Sequence, residues 1–297
     1  MRLNTVIHGD CISTLSELYS TNREFANLII FSPPYAQQRQ DTYGGVPEND
    51  YPDWMLSVVR ACMKILKPTG SLVINIKEHV NQGVRSLYVL ETTLLLAREF
   101  RYVDEFIWHK TNPIPTGVKK RLKDGFERCM HFTKSADYQF YPDSVSEKST
   151  SKWAGDNERR KNKGAHNTTK RSGMNMSKRI TGELVRPSNV VVMPASSLNI
   201  DHPAVYPIGL PDFFIRLMTK EGDVVVDPFL GSGTTALAAA KLGRQYLGIE
   251  RDEAYIRLAE SRIASARQSA IRSVTPTSSL LKNSTRSWPG LNQRQFV

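Results

Sequence analysis

Residues 223–235 read DVVVDPFLGSGTT, and the fold class can be inferred from them. Its three valines predict a short buried strand over 223–226, and the proline and two glycines after Asp227 cannot continue that strand. The apolar run over 234–242 then predicts a helix that ends at Gly243. A strand, a glycine turn and a helix in this order form the ligand-binding unit of doubly wound α/β proteins.

The same alternation extends through the rest of the chain. Apolar runs predict further strands at 5–8, 28–31, 71–76, 102–108, 128–132, 190–193 and 245–249. Helical spacing predicts a first helix capped by Ser13, and further helices at 50–66, 84–99, 210–218 and from Asp252 onward. Strands that alternate with helices favour a doubly wound, mostly parallel sheet with helices on both faces, and the segments at 102–108 and 128–132 predict an antiparallel pair within it.

The composition narrows the class of protein. The chain has 297 residues and is 40% hydrophobic, which suits a globular α/β fold. It contains no apolar run of membrane-spanning length, and its first residues lack a signal peptide, so we expect a cytoplasmic protein with no membrane partner. The three cysteines are far apart and form no CxxC pair, which argues against a metal site and a disulfide framework.

Positive charge is concentrated in two segments. The net charge is +11, and residues 148–186 hold eleven Lys or Arg against three acids. Residues 264–297 hold five Lys or Arg and no acid. Two basic segments beside a nearly neutral remainder favour a polyanionic partner such as nucleic acid, although a solubilising loop and tail would have the same composition.

The glycine turn has the features of a nucleoside site. Gly231 and Gly233 let a ligand approach the backbone, and Glu250, at the end of the next predicted strand, suits the hydroxyls of a ribose. The turn lacks the third glycine of a dinucleotide fingerprint and the lysine of a P-loop. Asp227 disfavours a phosphate and favours a cationic group, so the pattern indicates S-adenosyl-L-methionine; a tight strand–helix turn is the alternative.

A second motif, Ser32-Pro33-Pro34-Tyr35 (the SPPY motif), follows the strand predicted at 28–31. Its prolines hold the backbone stiff and leave carbonyls that no strand ladder satisfies. A simple turn explains the motif on local grounds. Alternatively, a flipped base stacks on Tyr35, while the Ser32 side chain and the Pro33 carbonyl hold the hydrogens of its exocyclic amine. Those contacts would turn the lone pair of the amine toward an incoming methyl group.

At these residues the chain resembles the amino-methylating DNA methyltransferases of restriction–modification systems, in their β-group order. The resemblance covers about residues 5–265. It rests on Gly9-Asp10, the SPPY motif, Trp108-His109-Lys110, the run 131–135, His202-Pro203-Ala204 and the stretch 227–250. It implies a Rossmann-like S-adenosylmethionine-dependent methyltransferase fold with an inserted target-recognition region, S-adenosyl-L-methionine as cofactor and double-stranded DNA as substrate.

The resemblance also implies an organisation and a set of site residues. Residues 1–135 and 201–265 would form the catalytic domain, with the catalytic half first, around a target-recognition region at 136–200; residues 266–297 would be a flexible basic tail. The implied catalytic residues are Ser32, Pro33, Pro34 and Tyr35. The implied cofactor contacts are Asp10, Asp227, Pro228, Phe229, Gly231, Ser232, Gly233, Thr234 and Glu250. Within the basic segment the candidate DNA contacts are Arg159, Arg160, Lys161, Lys163, Lys170 and Arg171.

Serine at the head of the motif favours N4 of cytosine as the target, since relatives with aspartate there usually methylate N6 of adenine; adenine is the alternative. A hydroxyl can donate to N3 of cytosine as well as accept, whereas a carboxylate only accepts. Methylation of cytosine carbon 5 would require a thiolate, typically in a Pro-Cys pair, which is absent. The enzymes of this fold that act on RNA or on protein amides usually have Asn before Pro-Pro-Tyr. A non-enzymatic nucleic-acid-binding protein would leave both motifs unexplained.

The family context suggests a biological setting as well. Site-specific methylation in a bacterial or archaeal cell would protect DNA from a cognate restriction endonuclease that acts separately. The protein would be a monomer or a homodimer.

Overall fold

The computed structural model describes residues 1–36, 45–113, 120–148, 184–195 and 206–274. Within them the strands are β1 Thr5–His8, β2 Ala26–Phe31, β3 Leu66–Ile76, β4 Val80–Asn81, β5 Val84–Arg85, β6 Arg101–Lys110, β7 Phe126–Thr133, β8 Glu147–Lys148, β9 Leu184–Val185, β10 Val190–Met193, β11 Val224–Asp227 and β12 Gln245–Glu250. The α-helices are α1 Cys11–Asn22, α2 Tyr51–Ile65, α3 Tyr88–Glu99, α4 Gly209–Met218, α5 Thr234–Lys241 and α6 Glu253–Val274.

The central sheet has eight strands in the order β1-β12-β11-β2-β3-β7-β6-β10. Strands β1, β12, β11, β2 and β3 run parallel to one another, β10 runs parallel to β6, and β7 runs antiparallel to both β3 and β6. The predicted doubly wound, mostly parallel sheet with an antiparallel pair is therefore confirmed. From β2 the chain continues to β3 on one side, and from β11 it continues to β12 on the other. Ligands of such sheets bind at this kind of switch point, beyond the carboxyl ends of the strands.

Two hydrophobic cores lie on opposite faces of the sheet. Helices α1, α2 and α3 contribute to one core, and α4, α5 and α6 to the other. Strand β2 serves both: Ile29 and Phe31 belong to the first core, and Leu28 and Ile30 to the second. All four side chains are buried, which explains why this strand is a continuous apolar run rather than an alternating one.

The start of α1 differs from the prediction. Asp10, not Ser13, is the N-cap, and its Oδ1 accepts hydrogen bonds from the backbone N–H of Ile12 and of Ser13, each at 3.0 Å. One carboxylate oxygen thereby satisfies two of the unpaired donors at a helix start, which favours Asp10 as the cap.

Strand β3 begins at Leu66, five residues before the predicted start. Ala26 pairs with Leu66, and Leu28 with Ser71, so the ladder between them is irregular. Residues 67–70, which include Pro68, occupy that irregularity. A proline is tolerated in a buried strand where the ladder is interrupted in this way.

The helix predicted at 84–99 begins at Tyr88, because β4 and β5 form a small antiparallel hairpin before it. Gln82 and Gly83 join these two strands with φ of 49° and 82°, as the turn of a tight hairpin requires. At the other end of the chain α6 continues to Val274, although the sequence predicted a tail from residue 266. Residues 266–272 include alanine, arginine and glutamine, all of which favour a helix.

The predicted target-recognition region is described in part. Residues 136–148 and 184–195 are described, and β8 pairs there with β9 while β10 lies at the edge of the main sheet beside β6. None of the helices in the described ranges combines the length and apolar character needed to cross a bilayer.

Two glycines with similar backbone geometry should respond differently to substitution. Gly233 has φ of 85°, and a Cβ there would lie 2.8 Å from the Cβ of Ala259; Gly222 has φ of 83°, and a Cβ there would meet no atom within 4 Å. We expect Gly222→Ala to lower the free energy of unfolding by about 1 kcal/mol through backbone strain alone. Gly233→Ala should lower it by about 2–4 kcal/mol, because α5 and α6 must also move apart.

Urea denaturation of both variants, followed by circular dichroism, measures this difference. Equal losses for the two variants would show that the close approach of Gly233 to α6 does not limit stability.

Candidate functional site

The carboxyl ends of four parallel strands meet around one cleft. The empty space within it is about 420 Å³, part of which is open to solvent. The lining residues come from the segments that follow β1, β2 and β11, from the end of β12, and from α2: Gly9, Asp10, Cys11, Pro34, Trp54, Pro228, Phe229, Glu250 and Arg251.

Five residues that the sequence indicated lie in this lining, namely Asp10, Pro34, Pro228, Phe229 and Glu250. Trp54 also lines the cleft, and its ring centroid is 5.8 Å from that of Phe229. Trp54 could not be recognised from the sequence, because its spacing on α2 fits an ordinary apolar face. Cys11 and Arg251 were not identified either, and each directly follows a residue that was.

Glu250 connects the end of β12 to the glycine loop, which we define as residues 228–233. Its side chain is buried, and Oε2 accepts a hydrogen bond from the backbone N–H of Gly231 at 2.7 Å. Oε1 accepts from the N–H groups of Arg251 and Asp252 at 2.8 and 2.9 Å. Backbone donors therefore stabilise a carboxylate at the wall of the cleft.

Asp227 is buried at the start of the glycine loop, and its carboxylate does not line the cleft. Oδ1 accepts from the N–H of Phe229 at 2.9 Å, and Oδ2 accepts from the hydroxyls of Thr235 at 2.5 Å and of Tyr206 at 3.3 Å. Burial raises the pKa of Asp227 to about 7, against the effect of these hydrogen bonds. Tyr206 was not identified from the sequence, because its contact depends on how the segment before α4 packs against α5.

The remaining loop residues shape the backbone rather than line the cleft. Gly233, with φ of 85°, precedes the first residue of α5, Thr234. Arg262, on α6, donates from Nη1 to the carbonyl oxygen of Ser232 at 2.5 Å and to its Oγ at 2.7 Å. Arg262, which is distant in sequence, thus fixes the glycine loop. No local sequence pattern indicated this contact.

The SPPY motif follows β2 and is held from two sides. The hydroxyl of Tyr51 donates to the carbonyl oxygen of Pro34 at 2.9 Å. The hydroxyl of Tyr35 donates to Oε2 of Glu127 at 3.1 Å. Burial, followed by the charge of Glu127, raises the pKa of Tyr35 well above its usual value, so the phenol stays protonated. Pro33 is buried and Ser32 is half-buried.

The candidate DNA contacts at 159–171 lie outside the described residues, as does His202-Pro203-Ala204. Their placement therefore stays a prediction.

The sheet order, the glycine loop and the acid at the end of β12 define a Rossmann-like protein with a site for a nucleoside-containing cofactor. A family model described as "DNA methylase" matches residues 26–261. The Type II methyltransferase M.PvuII of Proteus hauseri is 30% identical over an alignment of 275 residues that covers 82% of this chain and 79% of that protein. M.HinfI of Haemophilus influenzae is 28% identical over an alignment of 278 residues that covers 88% of this chain and 68% of that protein.

Solved structures agree with these matches. The PvuII DNA methyltransferase (cytosine-N4-specific) superposes with a TM-score of 0.65 and 25% identity over 90% of this chain and 92% of that one. An M1.HpyAVI–SAM complex shares the fold, with a TM-score of 0.58 and 21% identity over 87% of this chain and 98% of that one. The chain belongs to the N6/N4 DNA methylase family. It is an S-adenosyl-L-methionine-dependent DNA methyltransferase of the restriction–modification type.

The raised pKa of Asp227 predicts a pH-dependent stability. A carboxyl whose pKa is higher in the folded than in the unfolded state stabilises the fold most below its unfolded value, near pH 4, and this contribution is lost as the pH rises to about 7. In Asp227→Asn the contribution is absent. The free energy of unfolding of the wild type, relative to this variant, should fall by roughly 2 kcal/mol between pH 5 and pH 7 and stay level above pH 8.

Urea titrations at half-unit pH steps measure this difference. If the wild type and Asp227→Asn give parallel curves across this range, the Asp227 carboxyl is ionised with an ordinary pKa.

Proposed function

We propose that the protein transfers a methyl group from S-adenosyl-L-methionine to the exocyclic N4 amine of a cytosine that is flipped out of double-stranded DNA. The observation that carries this proposal is Ser32, which heads the SPPY motif at the end of β2, with Pro34 of that motif in the cleft wall. The likeness to the cytosine-N4-specific PvuII enzyme supports it.

The cleft suits the cofactor. Trp54 and Phe229 offer flat apolar surfaces for an adenine ring, and Asp10 and Glu250 offer carboxylates for ribose hydroxyls. Asp227, although turned toward Thr235, places a carboxyl at the base of the glycine loop. When bound, the cofactor supplies an electrophilic methyl group on a sulfonium.

The SPPY motif would hold the target amine. Tyr51 donates to the carbonyl of Pro34. The two hydrogens of the amine would be accepted by the Pro33 carbonyl and by the hydroxyl oxygen of Ser32, whose side chain is also a hydrogen-bond partner of Tyr35. Two acceptors in the plane of the base would direct the lone pair of the nitrogen out of that plane, toward the methyl donor. The ring of Tyr35 supplies a stacking face for the base.

The cysteines favour methylation of an amine over methylation of carbon 5. Cys11 lines the cleft, but burial raises the pKa of its thiol to about 12. Burial also raises the pKa values of Cys62 and Cys129 well above the usual range. A covalent adduct with carbon 6 of cytosine requires a thiolate, which none of these residues would supply near neutral pH.

The remaining parts of the proposal rest on charge and on the family. Arg159, Arg160, Lys161, Lys163, Lys170 and Arg171 would contact DNA phosphates and base edges. Methylation would protect the site from a cognate restriction endonuclease that acts separately.

Mass spectrometry of nucleosides tests the target base. Enzymatically amplified bacterial genomic DNA, which contains neither N4-methylcytosine nor N6-methyladenine, is incubated with protein and cofactor and then digested. We expect N4-methylcytosine. Detection of N6-methyladenine without N4-methylcytosine would overturn the proposal in favour of an adenine enzyme.

Two substitutions should separate binding of the cofactor from handling of the base. Tyr35→Ala removes the stacking face and should lower turnover by about 10- to 100-fold while the Kd for S-adenosyl-L-methionine stays within about 2-fold. Asp10→Asn keeps a helix cap but removes a charge from the cleft, so it should weaken cofactor binding by about 3- to 10-fold. Calorimetry and turnover assays measure both, and a loss of cofactor affinity in Tyr35→Ala would contradict the division of roles.

A further inference from the structure

A buried ion pair stands beside the SPPY motif. Glu127 is the second residue of β7, whose direction opposes that of β3, so its amino end lies at the edge where β2 and β3 have their carboxyl ends. Its Oε1 accepts from Nζ of Lys110 at 2.6 Å, and its Oε2 accepts from the hydroxyl of Tyr35 at 3.1 Å. The carboxylate therefore joins the last residue of β6 to the aromatic residue of the motif.

Burying this ion pair carries a large desolvation cost. The side chains of Lys110 and Glu127 are only 13% and 8% exposed. A carboxylate at that depth is stable only when donors satisfy both oxygens, and here Tyr35 is one of the two donors. Because the buried carboxylate of Glu127 requires this donor, the hydrogen bond fixes the position of the Tyr35 hydroxyl and therefore of its ring.

Lys110 also connects the ion pair to β10, which lies in the described part of the predicted target-recognition region. Nζ of Lys110 lies 4.8 Å from the ring centroid of Trp108, whose Nε1 donates to the carbonyl of Met193 at 3.1 Å. Met193 is the last residue of β10 and pairs with Lys110 in the sheet. Lys110 and Glu127 thus lie between β10 and the SPPY motif.

We propose that Lys110 and Glu127 are positioning residues for methyl transfer, which fix the ring of Tyr35 against the flipped base through the hydrogen bond between Glu127 and the Tyr35 hydroxyl. The inference rests on the stacking role of Tyr35 in the proposed function. Neither residue is required to touch the substrate or the cofactor.

A double-mutant cycle tests the inference. Tyr35→Phe removes the hydroxyl but keeps the stacking ring, and Glu127→Gln removes the charge that holds Lys110 and orients the hydroxyl. We expect each single variant to lower kcat by about 10-fold, the usual effect of losing a hydrogen bond to a charged group. If Glu127 acts through Tyr35, the double variant should be no more than about 3-fold below the worse single variant.

The assay follows whichever methylated nucleoside the wild type produces, so the choice between cytosine and adenine does not affect it. The Kd for S-adenosyl-L-methionine should stay within about 2-fold of wild type in every variant, which separates positioning of Tyr35 from a general loosening of the site. If Glu127→Gln does not fold, Lys110→Met/Glu127→Gln replaces it in the cycle, since that pair buries no unpaired charge.

The exposed pair Arg60 and Glu99, which joins α2 to α3 with side chains 56% and 36% exposed, supplies the matched control. Arg60→Met and Glu99→Gln, alone or together, should leave kcat unchanged. The inference is overturned if the effects of Tyr35→Phe and Glu127→Gln multiply, or if Glu127→Gln lowers only the melting temperature. A wild type that methylates neither base would overturn the proposed function, and the positioning role with it.

Discussion

The pairing of β2 with β11 brings the two halves of the chain together. Leu28 pairs with Val225 and Ile29 with Val226, and both strands end at the same edge of the sheet. Asn27, buried at the start of this seam, accepts at Oδ1 from the N–H of Val224, 197 residues away, and from Nζ of Lys67. Because the strands are parallel and in this register, the SPPY motif and the glycine loop leave the sheet side by side. Any slip of the pairing would separate the two motifs.

Buried carboxylates fix the loops that leave this seam. Glu250 binds three backbone N–H groups, Asp227 binds one N–H and two hydroxyls, and Glu127 binds Lys110 and Tyr35. A buried carboxylate that lost a partner would cost several kcal/mol, so each one constrains the segments that supply its donors. The SPPY motif and the glycine loop are in this way fixed by contacts within the chain, which reduces the conformational entropy that ligand binding must overcome.

Short motifs with their own backbone requirements could be predicted from the sequence. The glycine loop, the SPPY motif and the acid at Glu250 all combine a strand end with a residue type suited to one ligand group. Side chains that reach the site from elsewhere could not be predicted. Glu127 meets Tyr35 because β7 pairs antiparallel with β3, which places its amino end beside the SPPY motif, and nothing near Glu127 in the sequence encodes that pairing. The hydrogen bonds from Arg262 to Ser232 likewise depend on how α6 packs against α5. The cap of α1 was missed for a local reason, since Asp10 and Ser13 are both good caps and only the geometry of the first turn decides between them.

The position of β1 has a consequence for synthesis of the protein. Thr5 to His8 form the outermost strand of the sheet, and their neighbour is β12, about 240 residues later in the chain. At a translation rate of about 5–20 residues per second, roughly 10 to 50 seconds pass between the emergence of the two strands. During that interval the apolar surface of β1 lacks the strand that completes its ladder, and Asp10 and the SPPY motif are exposed without Glu250 or the glycine loop. On the proposed function, a ribosome-bound fragment therefore holds half of the cofactor cleft, and the chain methylates DNA only once its synthesis has passed β12.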